Sequence, residues 1–423
     1  MDIHSCLEYI HSRLLFGKKA GFTGISRLLD RLGNPQERLD FIHVAGTNGK
    51  GSVTSMLASV WQAYGKKVGW FTSPYLERFH ERIRIGNDEI DDASLIRLTE
   101  RIKTEVEALE KEECYVTEFE VVTAIGLMYF AEQDCDMVVL ETGLGGRLDA
   151  TNVIRHPRLC VITSIGLDHT QYLGDTLAQI AFEKAGILKK GAPVVIYPHM
   201  DARAEQVIRT RAEELECSLI VPDKDAVNVL GATLSGTKFC YDGMEISLPL
   251  VGGFQVDNAI MTIEAARALG VPDEVIAVGI ARATWPCRFE VMQGRKTVIL
   301  DGAHNHAGIC AFADAVKNHL AGRELVLVFG MLPEKDYQKS LAVLSELNAR
   351  MIVTRPPGPR GEGADRVYEY AKSMGFSAEF ICDNISAIKR ADDISSHDAA
   401  ICVFGSLYLT GGVRSFVENF FGV

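Results

Sequence analysis

The residues with the clearest chemical content lie together at His43-Val44-Ala45-Gly46-Thr47-Asn48-Gly49-Lys50-Gly51-Ser52-Val53-Thr54, between a short β-branched run and an amphipathic stretch. This order suits the binding of a phosphate chain. Gly46, Gly49 and Gly51 let backbone amides close around phosphate oxygens, a helix N-terminus adds its positive end, Lys50 supplies a cation, and the Ser52 hydroxyl can ligate Mg²⁺. The hydroxyl stands two residues after the lysine and the glycines are closer together than in an ordinary P-loop, so the pattern is a variant of that loop. The bland alternative is a glycine-rich turn with a surface lysine. Glu141 ends the apolar run Asp136-Met137-Val138-Val139-Leu140, where open α/β sheets place their ligands, and its carboxylate is a hard oxygen donor suited to Mg²⁺. His169, preceded by Asp168, follows another apolar run; on its own the pair reads as a hydrogen-bonded loop. Lys184 near a helix end reads as a dipole partner or as a mate of Glu183, Asn258 as a helix cap, and Asp301-Gly302-Ala303-His304-Asn305 as turn chemistry.

The elements that must position these groups alternate in period. Strands are predicted at Phe41 to Val44, Val68 to Phe71, Met137 to Leu140, Leu159 to Thr163 and Pro193 to Tyr197, with helices at Ser52 to Tyr64 and Thr176 to Lys184 between them. Phe119, Val122, Gly126 and Phe130 fall near one face of a further helix. Residues 218–250 are β-rich, with a hairpin at Tyr241-Asp242-Gly243-Met244. A second alternation places strands at Thr297 to Leu300, Leu325 to Phe329, Arg350 to Thr354 and Ala400 to Phe404. The fold class is therefore α/β: an N-terminal nucleotide-binding domain with a mostly parallel sheet over 1–285, and a smaller Rossmann-like α/β domain over 286–423. The join falls near Thr284-Trp285-Pro286-Cys287-Arg288, where Pro286 disfavours a continuous helix, and a cleft between domains is the default ligand site.

Composition narrows the classes. Hydrophobic residues at 47% and charged residues at 24% belong to a folded globular chain, and a formal net charge of −12 argues against a nucleic-acid surface built on clustered Lys and Arg. Ten cysteines show no CxxC or metal-ligand spacing and read as buried thiols in a reducing compartment. The sequence carries no signal pattern and no long uninterrupted apolar run, which predicts a cytoplasmic protein without a membrane partner.

The variant loop Gly-Thr-Asn-Gly-Lys-Gly-Ser resembles that of Mur ligases, and of folylpolyglutamate synthases in particular. The resemblance spans nearly the whole chain through Thr72-Ser73-Pro74-Tyr75-Leu76, His80-Glu81-Arg82-Ile83, Glu141 to Asn152, Leu167-Asp168-His169, Glu183-Lys184-Ala185-Gly186-Ile187, Trp285-Pro286-Cys287-Arg288 and Asp301 to Asn305. It implies an ATP-dependent ligase that adds L-glutamate to the carboxylate of a tetrahydrofolate through an acyl phosphate, with joining of glutamate to dihydropteroate as a second activity. It implies an ATP site at Thr47, Asn48, Gly49, Lys50, Gly51, Ser52, Asn258, Arg288 and Asp301, and catalytic roles for Lys50, Lys184, Arg288 and His304. Two Mg²⁺ ions are implied at Ser52, Glu141, His169 and Lys184, the lysine as a carbamate. The folate site falls to Ser73, Pro74, Tyr75, Arg82, Thr117, Phe119, Asp149 and Ala150, although relatives often have histidine in place of Tyr75, and Phe119 reads equally as core. Relatives usually act as monomers. The rivals are another Mur-type amino-acid ligase, or a P-loop ATPase or nucleotide-regulated module that is not a ligase. A ligase releases ADP only with both a pteroyl substrate and glutamate present.

Overall fold

The computed structural model describes residues 1–13, 21–358 and 361–423. Its strands are Phe41–Ala45 (β1), Val68–Phe71 (β2), Ile83–Ile85 (β3), Asp88–Glu89 (β4), Met137–Glu141 (β5), Leu159–Ile162 (β6), Val194–Ile196 (β7), Leu219–Ile220 (β8), Val227–Thr233 (β9), Gly236–Tyr241 (β10), Met244–Leu248 (β11), Glu290–Gln293 (β12), Thr297–Asp301 (β13), Leu325–Phe329 (β14), Arg350–Val353 (β15), Ala378–Phe380 (β16) and Ala400–Phe404 (β17).

Contacts divide the chain into two units. The first is Met1–Asp225 with Asp257–Arg282, and the second is Ala226–Val256 with Ala283–Val423. The β-rich segment at 226–256, expected from the sequence within the N-terminal domain, groups with the C-terminal part. Its apolar residues explain this: Val251 shares a core with Phe289, Ile299 and Phe312.

The first unit is built on an eight-stranded sheet of order β4-β3-β2-β5-β1-β6-β7-β8. From β2 to β8 every neighbour is parallel, and β3 and β4 add an antiparallel edge. β1, β5 and β6 are buried along their whole length, which is why they read as continuous apolar runs. β1 lies between β5 and β6, so the residues just past its carboxyl end meet the loops that leave both neighbours. Helices Asp92–Lys111 and Glu118–Glu132 cover one large core, and Leu177–Ala185 and Ala202–Glu214 cover a second. Glu118–Glu132 opens with a capping box, in which Thr117 and Glu120 each satisfy the other's backbone. A cap of this kind contributes about 1 kcal/mol.

The second unit holds a six-stranded sheet, β12-β13-β17-β14-β15-β16, parallel except for β12, and the three-stranded antiparallel sheet β11-β10-β9. Among the described residues no helix is long and apolar enough to cross a membrane, and the ten cysteines are free thiols.

Candidate active site

The phosphate loop leaves β1 at Gly46 and enters the helix Lys50–Ala63, capped by Gly49 in the left-handed region at φ 90°. Neither glycine tolerates a side chain. A Cβ on Gly46 would stand 1.7 Å from Thr163 Oγ1, and one on Gly49 would stand 2.5 Å from Asn258 Oδ1. The loop is held from below by the segment after β6. Thr47 N donates to Ser164 O (2.7 Å), Thr163 Oγ1 donates to Asn48 O (2.7 Å), and Gly166 N donates to Thr47 Oγ1 (3.0 Å). Nothing local in the sequence marks Thr163, Ser164 or Gly166 for this role. Their role follows from β6 being the neighbour of β1.

Asn258 is buried and sits inside the helix Gly253–Ala268, with its carbonyl accepting from Thr262 Oγ1 at 3.0 Å. It is therefore not the cap that an isolated reading allowed. Its side chain lies against the phosphate loop instead.

Two lysines and two carboxylates meet at the loop. Lys50 Nζ donates to Thr47 O (3.2 Å) and lies 3.9 Å from Glu141 Oε1. Glu141, buried at the end of β5, also accepts from Ser73 N at 3.3 Å, so it joins the phosphate loop to the Thr72–Leu76 loop. Ser52 is buried in the first turn of the helix. Lys184 is 4% exposed and its Nζ donates to Gly46 O at 2.6 Å. Burial, and then the nearby charge of Lys50, depress its pKa to about 7, against the opposing pull of Asp168 and Asp149. That depression corresponds to about 5 kcal/mol against the ammonium form. Asp168 is buried and accepts from His169 N at 2.8 Å, while the exposed His169 ring has Nε2 3.9 Å from the same carboxylate.

The loop after β5 braces the helix that carries Lys184. Arg147 grips Glu183 with two nitrogens (Nε 3.1 Å, Nη2 2.8 Å), and Asn152 Nδ2 donates to Gly186 O at 2.9 Å. Within this loop Asp149 accepts from Leu144 N (2.7 Å), Thr151 N (3.0 Å) and Thr151 Oγ1 (2.6 Å). Burial raises its pKa, and these bonds oppose the rise. His43 Nε2 lies 2.9 Å from Thr151 Oγ1; since that hydroxyl donates to Asp149, the histidine carries its proton on Nε2. Burial holds the His43 pKa at about 3, so the ring stays neutral.

Of the other expected folate residues, Tyr75 and Arg82 lie together. The guanidinium stands 5.1 Å from the Tyr75 ring centre and 5.7 Å from that of Phe79, and Pro74 follows a cis peptide. Glu81 shapes this loop by accepting from Leu76, Glu77 and Arg78 N at 2.7–2.9 Å. Phe119 is half-buried, edge-on to Phe71 at 6.0 Å, and a Cβ on Gly143 would stand 2.5 Å from its Cζ. Ala150 opens a buried 3₁₀ turn.

The second unit gathers Arg288, Asp301 and His304. Asp301 is buried at the end of β13 and accepts from Phe289 N and Ala303 N, each at 2.7 Å, so its carboxylate holds two loops together. Burial raises its pKa, with Arg288 the leading opposing influence. Arg288 lies between Cys287 and Phe289, both at positive φ. His304 Nδ1 is 2.9 Å from Gly302 O, a contact in which the ring nitrogen donates.

The loop can hold a polyphosphate: amides and Lys50 on one side, with Ser52 and Glu141 as oxygen donors. So few hard donors suit an Mg²⁺ ion that keeps several waters and shares phosphate ligands. Among the described residues no set of three or more His, Cys, Asp or Glu side chains forms a protein-only metal cage. Gly49→Ala is expected to weaken ADP binding at least tenfold by titration calorimetry, because it strains φ and displaces Asn258. Gly65→Ala is the control: φ is 80° there too but the space is open, so it should lower the melting temperature and leave ADP affinity intact. Equal ADP affinities in the two variants would remove the packing argument.

Residues 44–266 match the Mur ligase middle domain and residues 287–407 the Mur ligase glutamate ligase domain. The chain is 36% identical to a dihydrofolate synthase/folylpolyglutamate synthase of Bacillus subtilis, with 96% of this chain and 97% of the relative covered. It is also similar to the solved folylpolyglutamate synthase of Thermotoga maritima (34% identity, TM-score 0.86, 98% and 96% of the two chains). A structure of Escherichia coli FolC in complex with DHPP and ADP matches with 30% identity, a TM-score of 0.87, and 99% and 98% coverage.

Proposed function

The chain belongs to the Mur ligase family, in its folylpolyglutamate synthase/dihydrofolate synthase group, and from that premise we propose how its residues perform ATP-dependent ligation of glutamate to a folate carboxylate. The observation that carries the reading is the junction at Glu141. One carboxylate lies 3.9 Å from the phosphate-loop lysine and accepts from Ser73 N in the loop assigned to folate. Groups expected to serve ATP and groups expected to serve the acceptor are thus joined through a single buried side chain.

A carboxylate is a poor acyl electrophile at neutral pH, so it must first be activated. The folate carboxylate attacks the γ-phosphorus of ATP, giving an acyl phosphate and ADP. The amine of glutamate then attacks the acyl carbon, and phosphate leaves from the tetrahedral intermediate. Such transfer depends on positioning and charge neutralisation rather than on a nucleophilic side chain. Lys50 and the loop amides hold the β- and γ-phosphates beside Asn258, and Arg288, Asp301 and His304 are the second unit's candidates for serving ATP. Bound Mg²⁺, held by Ser52 and Glu141 and at a second position by His169 and Lys184 as its carbamate, would supply further neutralisation of phosphate charge. Ser73, Pro74, Tyr75, Arg82, Thr117, Phe119, Asp149 and Ala150 form the pteroyl side, and the dihydrofolate synthase activity named for the Bacillus subtilis relative supports acceptance of dihydropteroate as well.

The test is direct. Purified protein with ATP, Mg²⁺ and glutamate is given tetrahydrofolate and dihydropteroate separately, and products are identified by mass. A glutamylated tetrahydrofolate is the expected product, and ADP release independent of both acceptor and glutamate would sink the ligase reading.

A further inference from the structure

Asp257 is a buried carboxylate that the ligation chemistry above does not use. Its Oδ2 accepts from Tyr197 OH at 2.8 Å and from Lys224 Nζ at 3.0 Å, and its Oδ1 lies 2.9 Å from the same ammonium. Its partners come from distant parts of the first unit. Tyr197 immediately follows β7, and Lys224 lies beyond β8. Burial and the neighbouring carboxylate push the Tyr197 phenol above its ordinary pKa, so the hydroxyl remains a donor at any working pH.

The next residue is Asn258, whose Oδ1 occupies the space a Cβ on Gly49 would need. Consecutive residues of an α-helix point about 100° apart, so fixing the direction of one side chain fixes the rotation of the helix and the direction of the next. A turn of only about 20° at a helix radius of a few ångströms moves a side-chain tip by more than 1 Å, enough to open or crowd a contact as close as this one. We propose that Tyr197, Lys224 and Asp257 form a clamp that sets the rotation of the helix Gly253–Ala268, holding Asn258 against the phosphate loop, and that they are positioning residues for nucleotide binding. The clamp rests on the ATP site proposed above. It touches no reacting atom, and its effect is confined to the nucleotide.

The experiment uses the full chain and three mild variants, Tyr197→Phe, Lys224→Met and Asp257→Asn, with ADP affinity, melting temperature and KM for each substrate measured. ADP binding and KM for ATP are expected to weaken three- to tenfold, with KM for the pteroyl substrate and for glutamate, and kcat at saturating ATP, within twofold of wild type. A merely structural role would lower the melting temperature without this split. Asp257→Asn combined with Asn258→Ala should be no worse for ADP than the more severe single variant, because both act through one contact. Unchanged ADP affinity in Tyr197→Phe and Asp257→Asn, or losses that multiply in the double variant, would overturn the clamp. Wild-type protein that bound no ADP would remove the ATP-site reading together with the clamp, whereas normal wild-type binding with unaltered variants would remove the clamp alone.

Discussion

Lys50→Ala is expected to lower kcat/KM for ATP by about 10³-fold, the scale on which charge-stabilising residues act in phosphoryl transfer. Lys50 stands at the first position of its helix, beside the loop amides, with its ammonium 3.9 Å from Glu141. A cation in the proposed γ-phosphate role acts most strongly as that group leaves ADP, so on that proposal the loss should appear in kcat as well as in KM. Lys50→Arg keeps the charge but not the compact shape, and should recover only part of the rate. Coupled ADP release and product mass both report it. Activity within tenfold of wild type in the alanine variant would show that Lys50 does not bear on transferring phosphate.

Lys184→Ala should be the other near-null variant, again with about a 10³-fold loss. An ordinary lysine, with its pKa near 10.4, holds roughly one neutral amine in 10³ at pH 7. At a pKa of about 7, about half of Lys184 is neutral at that pH, and the neutral amine is the form that reacts with CO₂. The sign is definite: raising the pH through 7 increases the reactive fraction, and lowering it removes that fraction. If the carbamate is the working form, bicarbonate with a short carboxylic acid restores part of the activity of Lys184→Ala, and Lys184→Arg remains inactive. The competing role is visible in the structure, where Nζ donates to Gly46 O at 2.6 Å. In that case a short primary amine, not an acid, would rescue the alanine variant. The two rescues therefore discriminate between a missing anion and a missing donor.

Among the residues expected at the folate site, Tyr75 and Arg82 lie within one aromatic and cationic cluster, whereas Thr117 caps a helix and Asp149 accepts the bonds that close its own loop. A residue type at a motif position cannot distinguish these uses, because a carboxylate that shapes a turn and one that meets a ligand look the same in sequence. Asp301 is a further case, since its two oxygens accept from the backbone of two loops.

By itself the sequence determined the alternation of buried strands and helices, the position of the phosphate loop at a strand-to-helix turn, and the two α/β parts. Each of these is written in local periodicity, in glycine placement and in turn chemistry, which act over a few residues. Only the tertiary structure decided that Thr163 and Ser164 support the loop, that Asn258 packs on Gly49, that Lys184 is dry enough to lose its proton near neutrality, and that residues 226–256 join the second unit. Those depend on strand order and burial, and desolvation in particular is a property of everything packed around a group, so it is absent from any stretch of chain read alone.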